Sequence, residues 1–415
     1  MFENLISQPA TQLILDDIHA SRLPPSILFS GPETSGKLTT ALELARILSC
    51  EGDASWNCDC PACYRHRELA HPDLLLMGPR NCMSEIQAAR AAFLRDRGNA
   101  VRYLFIRSIR KLLIRFNPVF SDINESRMQK AVPLIAELEE QLEEIAPSRT
   151  LPDTRRLEKL TNALVETAEK LASGYLYESI PIGYIRNAAA WAHLAPSGKK
   201  KVILIEHADR MQDASRNAFL KILEEPPPAV VFVLLTDKRR AILPTILSRV
   251  RTYSFSNRSV AVEQEVITRV FHDVPVEGEK LSNYFTRFLP VSPERISEAA
   301  ARFINLILTE AIDEGRKPLV ALCNVLGTIH NRMTITDIVD MVNKFKPGML
   351  YTLFLTAITE YTRKALHSGS VDARECAVYA KWMEALQQAE NAVSVYNITP
   401  TAALENLVRI LKDAI

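Results

Sequence analysis

The first residues that could do chemistry lie in a glycine-rich loop, GPETSGKLTT, at positions 31–40. The spacing of Gly31, Gly36 and Lys37 lets successive backbone N–H groups surround phosphate oxygens, while the lysine reaches the terminal phosphates. The residue after this lysine normally supplies a Ser or Thr hydroxyl to Mg²⁺. Here that residue is Leu38. We therefore expect a phosphate loop that binds nucleotide without efficient turnover, or that binds none.

A second pair of candidate residues follows the apolar run VILIE at 202–206. In a nucleotide hydrolase an acidic pair stands here, the first acid holding Mg²⁺ and the second polarising the attacking water. This chain has Glu206 followed by His207. An imidazole differs from a carboxylate in charge and geometry, so we assign no catalytic base to His207. Glu206, with Thr39 as a substitute hydroxyl, stays a candidate for a degenerate nucleotide site.

Four cysteines fall within fourteen residues: Cys50, Cys58, Cys60 and Cys63. Four thiolates at this spacing can form a closed tetrahedral zinc site, which stabilises a loop too small to have its own core. The single residue between Cys58 and Cys60 strains the chelate, so His66 is a reserve ligand. The sequence predicts a structural zinc module at about 50–66, with buried free thiols as the alternative.

Two basic segments are candidates for phosphate contacts. The helical pattern of VRYLFIRSIRKLLIRF (101–116) places four basic residues near one another: Arg107, Arg110, Lys111 and Arg115. Such a face could meet DNA phosphates. It could also be a solvated face, or it could pair with neighbouring glutamates such as those of 137–144. Arg249, in TDKRRAILPTILSRVRTYSF, lies in a basic stretch, and its local sequence alone favours a solvated side chain.

The elements that must position these residues follow from hydrophobic patterning. The runs ILFS (27–30), VILIE (202–206) and VVFVLLT (230–236) are short and continuously apolar, which is typical of buried parallel strands. The first run feeds the glycine loop, and a helical pattern follows it. Between about 84 and 180 the pattern is helical, which we interpret as a helical insertion into an α/β domain. Beyond residue 255 the chain is almost wholly helical in pattern.

Composition sets wider limits. A chain of 415 residues has room for two or three domains. The 50 basic and 49 acidic side chains leave a formal charge of +1, so any nucleic-acid contact must be local. No apolar run approaches the roughly 18 residues needed to span a bilayer, and no targeting segment is recognisable. We expect a cytoplasmic protein.

Taken together, these motifs resemble the clamp-loader subunits of bacterial DNA polymerase III, which belong to the AAA+ family. The resemblance covers about 1–80 and 181–257 strongly, and the C-terminal third only by its helical character. The segments that carry it are LISQPATQLILDDI, SILFSGPETSGKLTTA, the cysteine cluster running into HPDLLL, KKKVILIEHADRM, NAFLKILEEPPP and TDKRRAILPTILSRV.

The resemblance implies a fold and a domain plan. It implies an AAA+ α/β P-loop domain with a parallel sheet at 1–257, interrupted by the helical insertion at about 84–180. An all-α lid at 258–300 and a collar-like helical oligomerisation domain at 301–415 would follow. The insertion departs from most members of the family and has no role assigned by analogy.

The resemblance also implies a function. Ser248-Arg249 matches the family's Ser-Arg-Cys motif, with Val250 in place of the cysteine, so Arg249 is expected to act as an arginine finger in a neighbouring subunit. Leu38 and His207 depart from the motor subunits, which indicates a largely non-hydrolysing subunit with a structural zinc and uncertain ATP binding. The expected partners are gamma/tau-like motor subunits, a delta-like clamp opener, the sliding clamp and primer-template DNA.

Two other interpretations stay open at the level of sequence. The chain could be an active gamma/tau-like ATPase of the same assembly, with Thr39 and Glu206 serving magnesium. It could also be a free-standing zinc-bearing nucleic-acid-binding protein with no role in an assembly.

Overall fold

A computed structural model gives the fold for residues 1–2, 5–79, 82–120, 126–177, 179–289, 291–327, 348–368, 371–394 and 398–415. The chain divides into two units, Met1–Phe288 and Leu289–Ile415, and each is described by itself. In the described part of the chain, no helix is both long enough and apolar enough to cross a membrane.

The first unit is built on a parallel sheet of five strands among the described residues, in the order β2-β3-β4-β1-β5. The strands are β1 (Ser26–Ser30), β2 (Leu74–Met77), β3 (Lys201–Ile205), β4 (Val230–Thr236) and β5 (Arg251–Ser254). Every residue of β1 to β4 is buried, as is typical of a parallel sheet covered on both faces. The predicted α/β class with a parallel sheet is confirmed.

Helices cover both faces of this sheet. They are α1 (Ala10–His19), α2 (Lys37–Ser49), α3 (Pro61–Arg67), α8 (Ile182–Ala192), α9 (Asp213–Glu224) and the short α10 (Pro244–Leu247). Residues of α1 to α3 pack on the face that contains Phe29 and Leu204. Residues of α8 to α10 pack on the opposite face, which contains Leu28 and Ile203. This alternation along β1 and β3 is what a two-sided core requires.

The segment expected to be an insertion is helical throughout its described part. Its helices are α4 (Met83–Asp96), α5 (Asn99–Leu113), α6 (Ser126–Glu144) and α7 (Thr154–Tyr175), with 3₁₀ turns at Ile114–Phe116 and Pro118–Phe120. They share a separate apolar core around Phe93, Phe105 and Leu164. Asp153 caps α7, because its carboxylate accepts a hydrogen bond from the backbone N–H of Arg156 at 3.0 Å.

Two short helices complete the first unit, α11 (Val260–Val270) and α12 (Leu281–Thr286). Ile267 and Tyr284 pack in one apolar cluster with Ala88 of α4. These helices therefore share a core with the inserted helices. The lid at 258–300 stays a prediction, and the first unit ends inside that range, at Phe288.

The second unit is helical in its described residues. It contains α13 (Pro293–Asp313), α14 (Val320–Leu326), α15 (Gly348–Leu366), α16 (Ala373–Ser394) and α17 (Pro400–Ala414). The fully buried Trp382 lies in its core and donates its indole N–H to the carbonyl of Leu411 at 3.0 Å. The helical character predicted for 301–415 is present in these residues, whereas the collar role stays a prediction.

Candidate nucleotide site and cysteine centre

The glycine loop joins β1 to α2, as its sequence predicts. Gly36 has a positive φ of 91°, and a Cβ there would lie 2.9 Å from the guanidinium of Arg258. A Cβ on Gly31 would lie 2.3 Å from the carbonyl oxygen of Phe255. Both positions therefore require glycine. The helix begins at Lys37, which leaves the loop immediately in front of a helix N-terminus, the usual position for a bound phosphate.

The polar groups of this loop contact the protein itself. The ammonium of Lys37 donates to the carbonyls of Gly31 at 2.6 Å and Pro32 at 2.5 Å. From the other side, Arg258 donates to the carbonyl of Thr34 at 2.9 Å. These hydrogen bonds hold the lysine against the start of its own loop and tie the middle of the loop to Arg258.

The side chains after Lys37 show what stands in place of the Ser or Thr hydroxyl that normally binds magnesium. Leu38 is 6% exposed and packs in the sheet core. Thr40 is fully buried, and its hydroxyl donates to the carbonyl of Gly36 at 3.0 Å. Thr39, which the sequence offers as a substitute, is half-buried in the first turn of α2.

Glu206 lies directly after β3, where the sequence places it, and it is paired with a buried arginine. The guanidinium of Arg115 donates to the Glu206 carboxylate at 2.5 Å, with side-chain exposures of 1% and 10%. Arg115 also donates to the carbonyls of Gly78 at 2.6 Å and Lys111 at 3.1 Å. A cation that belongs to the protein thus occupies one side of the acid predicted to hold magnesium.

His207 turns toward the neighbouring strand. It has a positive φ of 50°, and its Nδ1 lies 3.7 Å from a carboxylate oxygen of Asp237, just beyond β4. The neighbouring imidazole lowers the pKa of Asp237 to about 2. Asp209 accepts a hydrogen bond from the hydroxyl of Thr236 at 2.6 Å. His207 is therefore one member of a polar cluster at the ends of β3 and β4.

The basic face of α5 lies against the protein. Arg107 donates to the carbonyls of His66 and Arg67, and burial lowers its pKa to about 10. Lys111 pairs with Glu85. Arg110 donates to the carbonyl of Glu68 at 2.8 Å. The partners are thus not the glutamates of 137–144, and these contacts leave the face poorly suited to DNA.

Arg249 lies at the end of α10 with an exposed side chain. Its guanidinium donates to the carboxylate of Glu224 at 2.9 Å, to the carbonyl of Thr245 at 3.0 Å and to the hydroxyl of Ser248 at 3.3 Å. Glu224 is the last residue of α9 and is itself exposed. The side chain predicted to act as a finger is therefore held at the surface by partners from α9 and α10.

The four cysteines come together as predicted. Their sulfur atoms all lie within 4.8 Å of one another. The sulfur of Cys50 lies 3.6 Å from that of Cys58 and 3.9 Å from that of Cys60. Tetrahedral zinc with Zn–S bonds of about 2.3 Å separates its sulfurs by about 3.8 Å. The four sulfurs therefore fit zinc with little movement.

Backbone hydrogen bonds reach two of these sulfurs, and they favour the thiolate form of Cys60. The sulfur of Cys50 accepts from the N–H of Gly52 at 3.3 Å, and that of Cys60 accepts from the N–H of Cys63 at 3.4 Å. Although burial acts in the opposite direction, backbone donors lower the pKa of Cys60 to about 6. Donors of this kind stabilise the deprotonated ligand that a metal requires.

His66 does not join the cysteine cluster. The group of mutually close ligand atoms contains the four sulfurs and no histidine nitrogen. His66 is 3% exposed and stacks on His71 with ring centroids 4.1 Å apart. Burial and the neighbouring His71 lower its pKa to about 2. The reserve role predicted for His66 is therefore not adopted, because the four sulfurs form the cluster by themselves.

Sequence reasoning missed four residues around these sites. It placed Arg115 on a solvated or DNA-facing surface, and it gave no role to Arg46, Asp237 or Arg258. Asp237 could have been found, since it directly follows a predicted strand whose end lies beside that of β3. Glu43 is a local partner of Arg46, three residues earlier on the same helix. The other partners of the three arginines depend on tertiary packing.

Comparison with known proteins adds independent information. The family described as "DNA polymerase III, delta subunit" matches residues 6–114 and 124–259. These segments make up more than half of the chain and contain the glycine loop, the cysteine cluster, Glu206 and Arg249.

Individual relatives match over shorter stretches. The DNA polymerase III subunit delta' of Bacillus subtilis is 30% identical over 127 residues, which are 31% of this chain and 35% of that protein. The subunit delta' of Haemophilus influenzae is 38% identical over 74 residues, 17% of this chain and 23% of that protein. The subunit gamma/tau of Mycobacterium tuberculosis is 35% identical over 71 residues, 17% of this chain and 12% of that protein. The matches thus span well under half of these relatives.

A crystal structure of a DNA polymerase III, gamma subunit-related protein from Thermotoga maritima covers 97% of this chain and 99% of that chain at 16% identity. The TM-score is 0.39, which is too low for the two folds to be equated.

Proposed function

The chain belongs to the DNA polymerase III delta-subunit family, and we propose that it serves as a delta-prime-like subunit of the clamp loader. In this proposal its own nucleotide site is largely non-hydrolysing, and it contributes Arg249 to the site of a neighbouring motor subunit. Gamma/tau-like motors and a delta-like clamp opener are its partners, and through the complex it helps to load the sliding clamp on primer-template DNA during replication.

The observation that carries the non-hydrolysing role is the Arg115–Glu206 pair. Both side chains are nearly buried, and their charged atoms lie 2.5 Å apart. Breaking a buried ion pair by removing one partner costs about 3–5 kcal/mol. Magnesium would have to meet this cost to take Glu206 from Arg115, and Leu38 supplies no hydroxyl to compensate. Efficient turnover at this site is therefore unfavourable.

The loop itself supports the same conclusion. Lys37 donates to two carbonyls of its own loop, and Arg258 donates to a third from outside. Nucleotide would have to enter a loop that Arg258 already holds from outside at Thr34. Weak ATP binding is compatible with this arrangement, whereas a rapid cycle of binding and hydrolysis is not favoured.

Arg249 can still contribute to ATP hydrolysis in the nucleotide site of a neighbouring subunit. Its side chain is exposed, and its carboxylate partner Glu224 is exposed as well. Pairs of this kind contribute only about 0–1 kcal/mol, so the guanidinium can leave Glu224 for a phosphate at small cost. An arginine finger typically contributes a factor of about 10³–10⁵ to turnover. A subunit with an inactive site can thus be needed for hydrolysis next door.

The proposal is tested by comparing the isolated chain with the reconstituted loader. Alone with Mg-ATP, the full chain should release no phosphate above background, and Lys37→Ala should change nothing. Steady release by the isolated chain that disappears in Lys37→Ala would instead identify an active gamma/tau-like motor.

In the reconstituted loader, Arg249→Ala should remove the share of DNA-stimulated hydrolysis that the adjoining site contributes. The matched control is Arg240→Ala, an exposed arginine in the same basic stretch. An unchanged rate in Arg249→Ala, with intact assembly, would eliminate the finger. Salt-dependent DNA binding by the lone chain, without assembly, would favour the free-standing nucleic-acid-binding protein.

A further inference from the structure

Arg46 lies in the last turn of α2 and is 1% exposed. Its guanidinium donates in several directions at once. The partners are the Glu43 carboxylate at 2.6 and 3.0 Å, the Ala54 carbonyl at 2.9 Å, the Ser55 carbonyl at 2.9 Å and the Cys63 sulfur at 3.0 Å. One buried side chain thus joins a helix, a loop and a candidate metal ligand.

Other cations near the cysteines make a different kind of contact. Lys199 donates to the carbonyl of Cys50, and Arg67 donates to the carbonyl of Cys58. Arg46 instead reaches a sulfur directly, and it does so inside the protein. The electrostatic interaction between Arg46 and a thiolate of the cluster is therefore stronger than that of Lys199 or Arg67, because solvent screens a buried pair of charges much less than an exposed one.

The net charge of a zinc-bound cluster explains what the contact between Arg46 and Cys63 could do. Four thiolates around Zn²⁺ carry a net charge of −2, and a buried charge is costly unless it is paired and hydrogen-bonded. Glu43 offsets part of the charge of Arg46, but it lies on the same helix and does not account for the contacts of Arg46 with the loop. The guanidinium is placed to stabilise the metal-bound form of the cluster.

We infer that Arg46 is a positioning residue for structural zinc, and that it couples metal binding to the end of α2. It holds Cys63 and the 54–55 carbonyls in place, while Cys50 caps the same helix. Metal binding should therefore order the last turn of a helix whose first residue is Lys37. This inference rests on the cysteine centre and is independent of the proposed clamp-loader role.

The first measurement is metal affinity in the full chain. Co²⁺ is titrated into metal-free protein, its thiolate charge-transfer band is followed, and Zn²⁺ is then added in competition. Loss of a residue that orients metal ligands typically lowers metal affinity by about 10–100-fold. We expect a loss in that range for Arg46→Met and a smaller loss for Arg46→Lys, which keeps the charge.

The matched control is Arg102, which is 4% exposed and donates to the backbone carbonyls of Ile145, Ala146 and Arg149. Arg102→Met should destabilise the fold and leave Co²⁺ affinity unchanged. If Arg46→Met does not fold, Arg46→Lys is compared with Arg102→Lys in the same titration. Equal affinities for the Arg46 and Arg102 variants would overturn the inference.

The second measurement tests the coupling. Zn²⁺ should slow amide hydrogen exchange in residues 45–49 of the wild-type chain, and this protection should be reduced in the Arg46 variant even when enough Zn²⁺ is added to fill the site. Full protection of these amides in a zinc-loaded Arg46 variant would contradict the coupling. Co²⁺ charge-transfer spectra of the Arg46 variant that are identical to those of the wild-type chain would contradict the contact with Cys63.

Discussion

The Arg115–Glu206 pair gives the sharpest test of why this nucleotide site should be inactive. Arg115→Met keeps the unbranched stem of the side chain and removes the guanidinium, with its charge and its three hydrogen bonds to Glu206, Gly78 and Lys111. Because the pair is buried, we expect the free energy of unfolding to fall by about 3–5 kcal/mol. Glu206→Gln should cost less, because a glutamine oxygen can still accept from the guanidinium.

The two changes should not add. In the double variant no unpaired charge remains, so its cost should lie below the sum of the single costs by roughly 0.5–3 kcal/mol, the range for residues in direct contact. Lys111→Met is the matched control, since it removes a neighbouring cation that pairs with Glu85 instead. Combined with Glu206→Gln, it should show far less coupling.

Amide hydrogen exchange in β3 is the suitable assay, because the chain has two units and β3 reports on the first alone. Its opening free energies, taken for each single and double variant, give the coupling directly. A coupling below about 0.5 kcal/mol is indistinguishable from additivity. Such a value would mean that Arg115 does not hold Glu206, and the argument against magnesium at this acid would fail.

Three further outcomes are expected. Metal analysis of the purified chain should find about one zinc per chain. Removal of this zinc with a chelator should lower the midpoint temperature of thermal unfolding of the first unit. A folded chain without metal would contradict the zinc site. The pKa of Asp237 is lowered from 3.8 to about 2, so its stabilising effect is present above about pH 4 and is lost as the pH falls through 2. His207→Ala should accordingly raise the pKa of Asp237 toward 3.8 and lower the free energy of unfolding, by progressively less in denaturation curves taken below pH 4. Arg258→Ala should raise the affinity for ATP measured by fluorescence titration, because it removes a donor that holds the loop at Thr34; weaker binding would indicate that Arg258 contacts the nucleotide.

Hydrophobic runs were enough to predict three of the five described strands, β1, β3 and β4. A parallel strand is buried on both faces, so VVFVLLT and VILIE carry an almost uninterrupted apolar signal, and both form strands within one residue of the predicted limits. The cysteine cluster was equally accessible, because four cysteines within fourteen residues form a recognisable zinc-ligand pattern. In both cases the information is local in sequence.

The partners of buried charges were not accessible in this way. Helical periodicity places Arg107, Lys111 and Arg115 on one face, but it does not say what that face meets. Arg115 and Glu206 are 91 positions apart, and only the packing of the inserted helices on the sheet brings them together. A charged stripe was therefore interpreted as solvated when it is the contact surface of the insertion.

Contacts of the inserted helix α4 also restrict movement of α11 and α12, which lie in the range predicted to form a lid. Arg95 at the end of α4 donates to the carbonyl of His272 at 2.7 Å and to Asp273 at 2.9 Å. Ala88 packs with Ile267 and Tyr284 in one buried cluster. Movement of α11 and α12 relative to α4 would expose this cluster and break these hydrogen bonds. Because these contacts oppose movement of α11 and α12 against α4, they favour the proposed non-hydrolysing role over that of an active motor.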